Sequence, residues 1–171
     1  DEAYVDFAED HCLDFLERYP RVVIIRTMSK SYALAHARIG FACAHPFIIE
    51  GMIKVKDSYN VNGLSQMIAL AALEDQGWLR NTVKEICQNR EFLATALQSL
   101  GFKVIPSQTN FIFTQPPFNA RRYYELLRTK KILIRYFPGP YTGDFVRITI
   151  GRQEEMKTLI QVTQEIIRNY Q

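Results

Sequence analysis

The sequence predicts an α/β fold, because apolar runs typical of buried strands alternate with segments of helical periodicity. Two continuous apolar runs, RVVIIR at 21–26 and ARIGFACA at 37–44, are rich in branched residues. Such runs are typical of strands covered on both faces by helices, so they predict a mostly parallel sheet. The 171 residues are 47% hydrophobic and 23% charged, which allows a substantial core.

Two apolar helices are predicted after the second strand. Residues 46–56 begin with Pro46, and proline is favoured at the first helical position. Residues 64–75 are rich in apolar residues and predict the next helix.

A long amphipathic helix is predicted over 77–100, where apolar residues recur every three or four positions. Gly101 follows as a helix-ending glycine. We place a domain boundary inside this helix, with the end of a parallel-sheet domain over 1–85 and a smaller α/β domain over 86–171.

The smaller domain is predicted from short strands and helices in alternation. Strands are expected at 110–114, 131–135 and 144–150, with a helix over 119–130 between the first two and a terminal helix from Met156 to Tyr170.

Charge and cysteine content narrow the possible functions. Lys and Arg exceed Asp and Glu by 21 to 18, and no basic cluster is interleaved with aromatic residues, which argues against a nucleic-acid partner. No apolar run has the length of a membrane span. Cys12, Cys43 and Cys87 are widely spaced, and neither they nor the histidines have metal-ligand spacing. We therefore expect reduced thiols, a cytosolic protein and no metal.

Lys30 stands at the end of a predicted buried strand, a position that lysine seldom occupies. An amine there could be a surface residue, or it could be a covalent catalyst that condenses with an aldehyde. The usual aldehyde is pyridoxal phosphate, which also needs a carboxylate at the ring nitrogen, a partner for the ring hydroxyl and donors for the phosphate.

The sequence offers all three groups. Asp1 is a candidate for the ring nitrogen, and Tyr4 is a candidate for the ring oxygen. The candidates for the phosphate are Thr27, Ser29 and Arg38, which supply two hydroxyls and a planar guanidinium.

The order of the motifs is similar to that of a known family. The chain resembles the fold-type-I pyridoxal-phosphate aminotransferases and, within them, the histidinol-phosphate branch. The motifs that carry the resemblance are DEAY, RTMSKSYALAHARIGFA, TNFIF, ILIRYF and VRITIG.

The resemblance implies the roles of the site residues and the reaction. Lys30 would bind the cofactor covalently and then move a proton between the substrate's α-carbon and the cofactor's C4′. Asp1 and Tyr4 would hold the ring, and the phosphate candidates named above would keep that role. The implied reaction is reversible amino transfer between L-histidinol phosphate and 2-oxoglutarate in histidine biosynthesis, catalysed by a homodimer.

Two arginines fall on the family's substrate-binding positions. The resemblance implies that Arg147 holds the anionic group of the substrate and that Arg135 assists it. Within DFVRITI, Val146 and Ile148 share one strand face, so Arg147 is expected on the other, facing a cleft. Arg135 could equally end a strand at the surface.

Several alternatives stay open at the level of the sequence. The same fold could serve an aminotransferase for aromatic amino acids or a phosphate-substrate decarboxylase. The chain could also be a non-catalytic binding or dimerisation module. Asn110 and residues 59–62 match the family pattern without an assigned role, and His36 is the histidine nearest Lys30.

The resemblance covers the C-terminal portion of the family. In these enzymes the DEAY motif lies near the middle of the chain, and the preceding half carries further cofactor contacts and a tyrosine that reaches the second subunit. We therefore expect the 171-residue chain by itself to be inactive and to bind the cofactor weakly.

Overall fold

The computed structural model describes residues 1–169 and divides the chain inside a long helix. The two units are Asp1–Val83 and Lys84–Gln171, here called unit 1 and unit 2. This division and the predicted boundary at residue 85 both fall within the helix Gln76–Ser99. In the part of the chain that the structure describes, no helix is both long enough and apolar enough to cross a bilayer.

Unit 1 combines a strand pair with short and medium helices. Turns of 3-10 helix lie at Val5–Phe7 and Ala35–Ala37. The remaining elements are α1 (Phe15–Arg18), β1 (Val23–Thr27), β2 (Gly40–Ala44), α2 (Pro46–Val55), α3 (Gly63–Glu74) and the start of α4 (Gln76–Ser99).

The two strands of unit 1 pair antiparallel, from Val23 opposite Ala44 to Thr27 opposite Gly40. The prediction of a mostly parallel sheet is therefore wrong for the described residues. A parallel pair needs a long crossover, usually a helix, whereas residues 28–39 contain only one 3-10 turn. Apolar residues on both strand faces do not determine strand direction.

Gly40 allows β2 to approach β1 closely. A Cβ atom at this position would lie 2.6 Å from the Arg26 carbonyl oxygen, closer than van der Waals contact permits. Glycine is therefore required at the point where the loop returns to the strand pair.

Helices α2 and α3 of unit 1 begin at side-chain caps. His45 precedes α2, and its Nδ1 accepts the Phe47 backbone N–H at 3.3 Å. Asn62 precedes α3, and its side chain accepts the Ser65 backbone N–H at 2.9 Å. Both helices lie within one residue of their predicted limits, because caps and apolar spacing agree there.

Unit 2 is built on an antiparallel sheet. Its strands are β3 (Lys103–Ile105), β4 (Phe111–Gln115), β5 (Arg135–Tyr136) and β6 (Val146–Thr149), and its helices are the end of α4, α5 (Ala120–Thr129) and α6 (Gln153–Arg168). Within residues 1–169 the strand order is β3, β4, β6, β5.

The predicted strand over 131–135 is mostly absent. Only Arg135 pairs with β6, and β5 continues to Tyr136. Lys131 adopts a left-handed φ of 62° as the chain leaves α5, so the apolar residues that follow it are not aligned with β6. The predicted helix over 119–130 is confirmed within one residue at each end.

The ends of the two long helices follow local signals. Gly101 has a φ of 84°, which an α-helix-ending turn requires and which favours glycine. Helix α6 begins at Gln153, three residues before the predicted start, because the Glu155 carboxylate accepts the Arg152 backbone N–H at 2.7 Å. Its predicted end at Tyr170 lies outside the described residues.

The core of unit 2 lies between the sheet and its helices. Tyr123 is fully buried and its hydroxyl lies 2.7 Å from Thr163 Oγ1. Thr163 donates its own proton to the Leu159 carbonyl, so Tyr123 is the donor between the two hydroxyls. Other fully or nearly fully buried members are Leu93, Leu97, Phe102, Ile112, Leu127, Val146, Ile148 and Met156.

We predict that Tyr123→Phe lowers the free energy of unfolding by about 1 kcal/mol, because it removes a buried hydrogen bond. Urea unfolding followed by circular dichroism measures this difference. Tyr141→Phe is the matched control, since Tyr141 is 91% exposed. Equal losses from both substitutions would contradict a stabilising role for the Tyr123 hydroxyl.

Candidate active site

The loop that carries Lys30 starts where β1 ends. Thr27 Oγ1 accepts the Ser29 backbone N–H at 3.1 Å and lies 2.8 Å from Ser29 Oγ. A hydroxyl that bonds to the N–H two residues ahead turns the chain locally. The turn places the hydroxyls of Thr27 and Ser29 side by side, immediately before Lys30.

The loop is held at its base by backbone hydrogen bonds. The Met28 N–H donates to the Ile39 carbonyl at 3.2 Å, and the Met28 carbonyl accepts the Leu34 N–H at 3.0 Å. Met28 itself is only 2% exposed. Lys30, which is half-buried, therefore stands on a loop anchored by a buried side chain and by both neighbouring strands.

Glu2 ties the N-terminal segment to β1. Its backbone N–H donates to the Ile25 carbonyl at 2.8 Å, so the segment runs beside the strand. Its carboxylate accepts Arg26 Nε at 2.8 Å, contacts Arg26 Nη2 at 2.7 Å and accepts the Cys12 backbone N–H at 2.6 Å. These contacts hold Asp1 near the end of β1.

A second tie joins the N-terminal segment to the lysine loop. Ser31 is 2% exposed, and its hydroxyl donates to the Asp6 carboxylate. The turn that contains Asp6 begins after Tyr4, so this bond brings Tyr4 close to Lys30. Lys30 Nζ lies 5.2 Å from the centre of the Tyr4 ring, within the range of a cation–π interaction.

Asp1 and Arg38 lie at the exposed margin of unit 1. Asp1 Oδ1 accepts the Ala3 backbone N–H at 2.9 Å. Arg38 has a left-handed φ of 52°, and its Nη1 donates to the Ala35 carbonyl at 2.9 Å. In this structure Arg38 therefore bonds to its own turn, whereas Thr27 and Ser29 bond to each other.

Helix α3 supports the turn before Arg38. Ser65 is 5% exposed, and its hydroxyl donates to the Ala37 carbonyl at 2.7 Å. Asn62, the cap of α3, also donates to that hydroxyl at 3.0 Å. A left-handed arginine is an uncommon conformation, and this support holds it.

Arg147 lies on the sheet face opposite the core of unit 2. Its neighbours Val146 and Ile148 are buried, as the alternation of the strand predicts. The Arg147 guanidinium lies 5.2 Å from the Phe111 ring centre and 5.5 Å from that of Phe137. Its Nε is buried and, among the described residues, has no hydrogen-bond acceptor.

Arg135 lies directly opposite Arg147 in the antiparallel pair. Its guanidinium is 5.3 Å from the Phe137 ring centre. Like charges placed directly across two strands destabilise the pair. Within residues 1–169 neither arginine forms an ion pair with a carboxylate, so an anion from outside the described chain would relieve the repulsion.

The residues that match the family pattern without an assigned role, and His36, either bond to the backbone of a neighbouring segment or lie on the surface. Asn110 accepts the Ile150 N–H through its backbone carbonyl at 2.9 Å, and Tyr59 is 95% exposed. His36 is exposed on the 3-10 turn Ala35–Ala37.

Sequence reasoning did not identify the residues that hold the site together. Glu2, Arg26, Asp6 and Ser31 supply the two ties, yet none was a candidate. The Ser31 hydroxyl directly after Lys30 could have indicated a hydrogen bond that holds the loop, but its acceptor, Asp6, lies 25 positions away in the sequence. Only the folded chain shows that pairing.

The sequence and the fold are similar to those of known enzymes. Residues 1–162 match the family model described as aminotransferase class I and II. The chain is 45% identical over 170 residues to histidinol-phosphate aminotransferase 1 of Nostoc sp., covering 99% of this chain and 48% of that protein. It is 46% identical over 168 residues to histidinol-phosphate aminotransferase of Microcystis aeruginosa, with 98% and 48% covered.

A solved structure has a similar fold. The crystal structure of histidinol-phosphate aminotransferase from Sinorhizobium meliloti in complex with pyridoxal-5'-phosphate aligns with a TM-score of 0.87 and 29% identity, covering 100% of this chain and 48% of that one. The chain thus spans about half the length of the curated relatives it matches. It belongs to the class I and II aminotransferases.

The Glu2 carboxylate has a lowered pKa. Burial alone would raise it, but the hydrogen bonds from the Cys12 backbone N–H and the Arg26 guanidinium outweigh burial and bring the pKa of Glu2 below its ordinary value of 4.5. The ionised form is therefore the one that stabilises the folded state.

We predict that Glu2→Gln destabilises the protein by about 1 kcal/mol at neutral pH and less in acid. A lowered carboxyl pKa stabilises the fold fully above the ordinary pKa and no longer does so once the pH falls through the lowered value. Thermal unfolding between pH 3 and pH 7 (roughly the range over which glutamate ionises) measures the difference. Glu17→Gln, at an exposed position, is the control. A Glu2→Gln effect that is constant with pH would contradict the ionic tie.

Proposed function

We propose that the protein containing this chain is a pyridoxal-phosphate-dependent histidinol-phosphate aminotransferase. The reaction is reversible amino transfer between L-histidinol phosphate and 2-oxoglutarate, giving imidazole-acetol phosphate and glutamate. Family membership and relatives of this name at 45% and 46% identity support the proposal. The observation that carries it is the pair of arginines, Arg135 and Arg147, opposite each other without a carboxylate partner in the described residues.

The residues of unit 1 fit the proposed cofactor. Its aldehyde needs an amine, and Lys30 supplies one on an anchored loop. Its phosphate needs hydrogen-bond donors, and the hydroxyls of Thr27 and Ser29 lie 2.8 Å apart beside that loop. Tyr4 lies on the side of the lysine, where it can contact the ring. The residues proposed to hold the cofactor are Asp1, Tyr4, Thr27, Ser29, Lys30 and Arg38.

Lys30 has two tasks in the proposed mechanism. The bound cofactor supplies an aldehyde carbon that the Lys30 amine can bind and a ring that withdraws electrons from the substrate. Once released, the Lys30 amine would accept the proton from the substrate's α-carbon and deliver it to C4′ of the cofactor. Asp1 would hold a proton on the ring nitrogen, which keeps the ring electron-withdrawing.

Arg147 and Arg135 would bind the anionic end of the substrate. A phosphate carries up to two negative charges and several acceptor oxygens, which suits two adjacent guanidinium groups. The buried Nε of Arg147 gains an acceptor in this arrangement. The Phe111 and Phe137 rings near Arg147 limit competition from water.

We also propose the domain assignment, the oligomeric state and the location of the protein. Unit 1 would be part of the large cofactor-binding domain and unit 2 the small C-terminal domain. The whole enzyme would be a cytoplasmic homodimer, in keeping with its proposed role in histidine biosynthesis.

We predict that borohydride fixes pyridoxal phosphate to Lys30 in the intact protein. Reduction converts the bond between the amine and the aldehyde carbon into a stable secondary amine, and peptide mass mapping locates it. Lys54 and Lys56, on and after α2, serve as internal controls in the same digest. A label on another lysine would contradict the assignment of Lys30.

We predict that Arg147→Ala lowers kcat/KM for L-histidinol phosphate by roughly 30- to 900-fold, the equivalent of about 2–4 kcal/mol for a charge-assisted contact. Arg135→Ala is expected to have a smaller effect, because Arg135 is exposed. Cofactor affinity is expected to change little in either variant.

Arg128→Ala is the control for these variants, since Arg128 is an exposed arginine of α5 in the same unit. Assays with phosphorylated and unphosphorylated histidinol decide the role. If both site variants kept the parental preference for the phosphorylated substrate, phosphate recognition would be wrong. An aminotransferase for aromatic amino acids would then be the better assignment.

A further inference from the structure

We infer that Ser31 and Asp6 form a positioning pair that sets the place of Lys30 relative to Tyr4. The inference rests on the proposed function, because it concerns the amine that binds the cofactor. Neither residue reaches the reacting atoms in our proposal. Their effect on the reaction acts through the backbone on either side of Lys30.

The bond joins two segments that are far apart in the sequence. Ser31 directly follows Lys30, and its side chain is almost entirely buried. Asp6 lies in the 3-10 turn that begins after Tyr4. A bond from a hydroxyl to a carboxylate is charge-assisted and stronger than one between neutral groups. It therefore holds the lysine loop against the tyrosine turn.

The 3-10 turn that contains Asp6 is itself held in place by a buried side chain. Phe7, next to Asp6, is 3% exposed. Its backbone N–H donates to the Tyr4 carbonyl at 3.0 Å. Rotation of the turn would move Asp6 and Tyr4 together. The Ser31–Asp6 bond therefore joins the two segments whose side chains, Lys30 and Tyr4, lie 5.2 Å apart from Nζ to ring centre.

Loss of the bond is expected to slow the reaction of Lys30 without abolishing it. In that reaction the amine nitrogen forms a bond to the aldehyde carbon, and the aldehyde oxygen leaves as water. A misplaced reacting group lowers such rates by about one to two orders of magnitude. We expect Ser31→Ala and Asp6→Ala each to slow the capture of added pyridoxal phosphate by the apo-protein about tenfold.

The experiment measures the capture rate by absorbance and compares five variants of the intact protein, of which Asp6→Ala is the first. Asp6→Asn keeps an acceptor oxygen and is expected to retain most of the parental rate. Asp14→Ala removes an exposed carboxylate from the same unit and controls for charge. Ser31→Ala and the double variant with Asp6→Ala complete the set. The double variant is expected to be no slower than either single one, because both remove the same bond.

Each outcome supports or overturns the inference. Parental rates in Ser31→Ala and Asp6→Ala would overturn it, as would equal slowing by Asp6→Asn, Asp6→Ala and Asp14→Ala. If Ser31→Ala fails to fold, the comparison of Asp6→Ala with Asp6→Asn decides, because Asp6 is exposed. A parental protein that does not capture the cofactor on Lys30 would instead overturn the proposed function itself.

The pH profile of capture separates positioning from general loss of stability. If the pair positions the amine, the capture rate of Asp6→Ala falls by the same factor at every pH, and it does so at temperatures far below the thermal midpoint of the variant. A slower capture that merely follows partial unfolding would disappear at lower temperature. That result would contradict a positioning role.

Discussion

The Glu2 carboxylate is the contact on which the arrangement of unit 1 depends. It receives hydrogen bonds from Arg26 on β1 and from the Cys12 backbone, while its own backbone is bonded to Ile25. Glu2 thereby joins the N-terminal segment to the backbone at Cys12 and to β1, the strand that leads to Lys30. Removing the Arg26 guanidinium would leave the partly buried Glu2 carboxylate without its charged partner, which costs more than the bond itself contributes.

In unit 2 the corresponding constraint is electrostatic. Arg135 and Arg147 are placed face to face by the register of β5 and β6, and the register is fixed by the buried residues Val146 and Ile148 on the other face. A slip by one residue would turn the arginines into the core. The folded chain therefore holds two repelling charges together, and its core packing supplies the energy. The absence of a carboxylate partner for either arginine among the described residues supports the proposal that an anion binds there.

Local patterns predicted helices α2 to α5 and the strand face of Arg147, but they did not predict which distant residues pair. The limits of α2, α3 and α5 lie within one residue of the predictions, because caps and apolar spacing coincide. The direction of β2 relative to β1 depends on whether the segment between them contains a crossover helix. The apolar residues of the strands carry no information on this. The residue types proposed to hold the cofactor were deduced from the groups that the cofactor needs. The bond between Ser31 and Asp6 could not be predicted from the sequence, since an acceptor 25 positions away has no local signature.

Three ties that support the lysine loop in the described residues lie within the stretch 2–65. The ties of Glu2 to Arg26, Ser31 to Asp6 and Ser65 to Ala37 join residues 24, 25 and 28 positions apart. Closing loops of this size costs little more entropy than closing much shorter ones. A ribosome that has released residue 65 has therefore supplied every partner of these ties. The loop can take its final form during synthesis, before the sheet that carries the arginine pair exists.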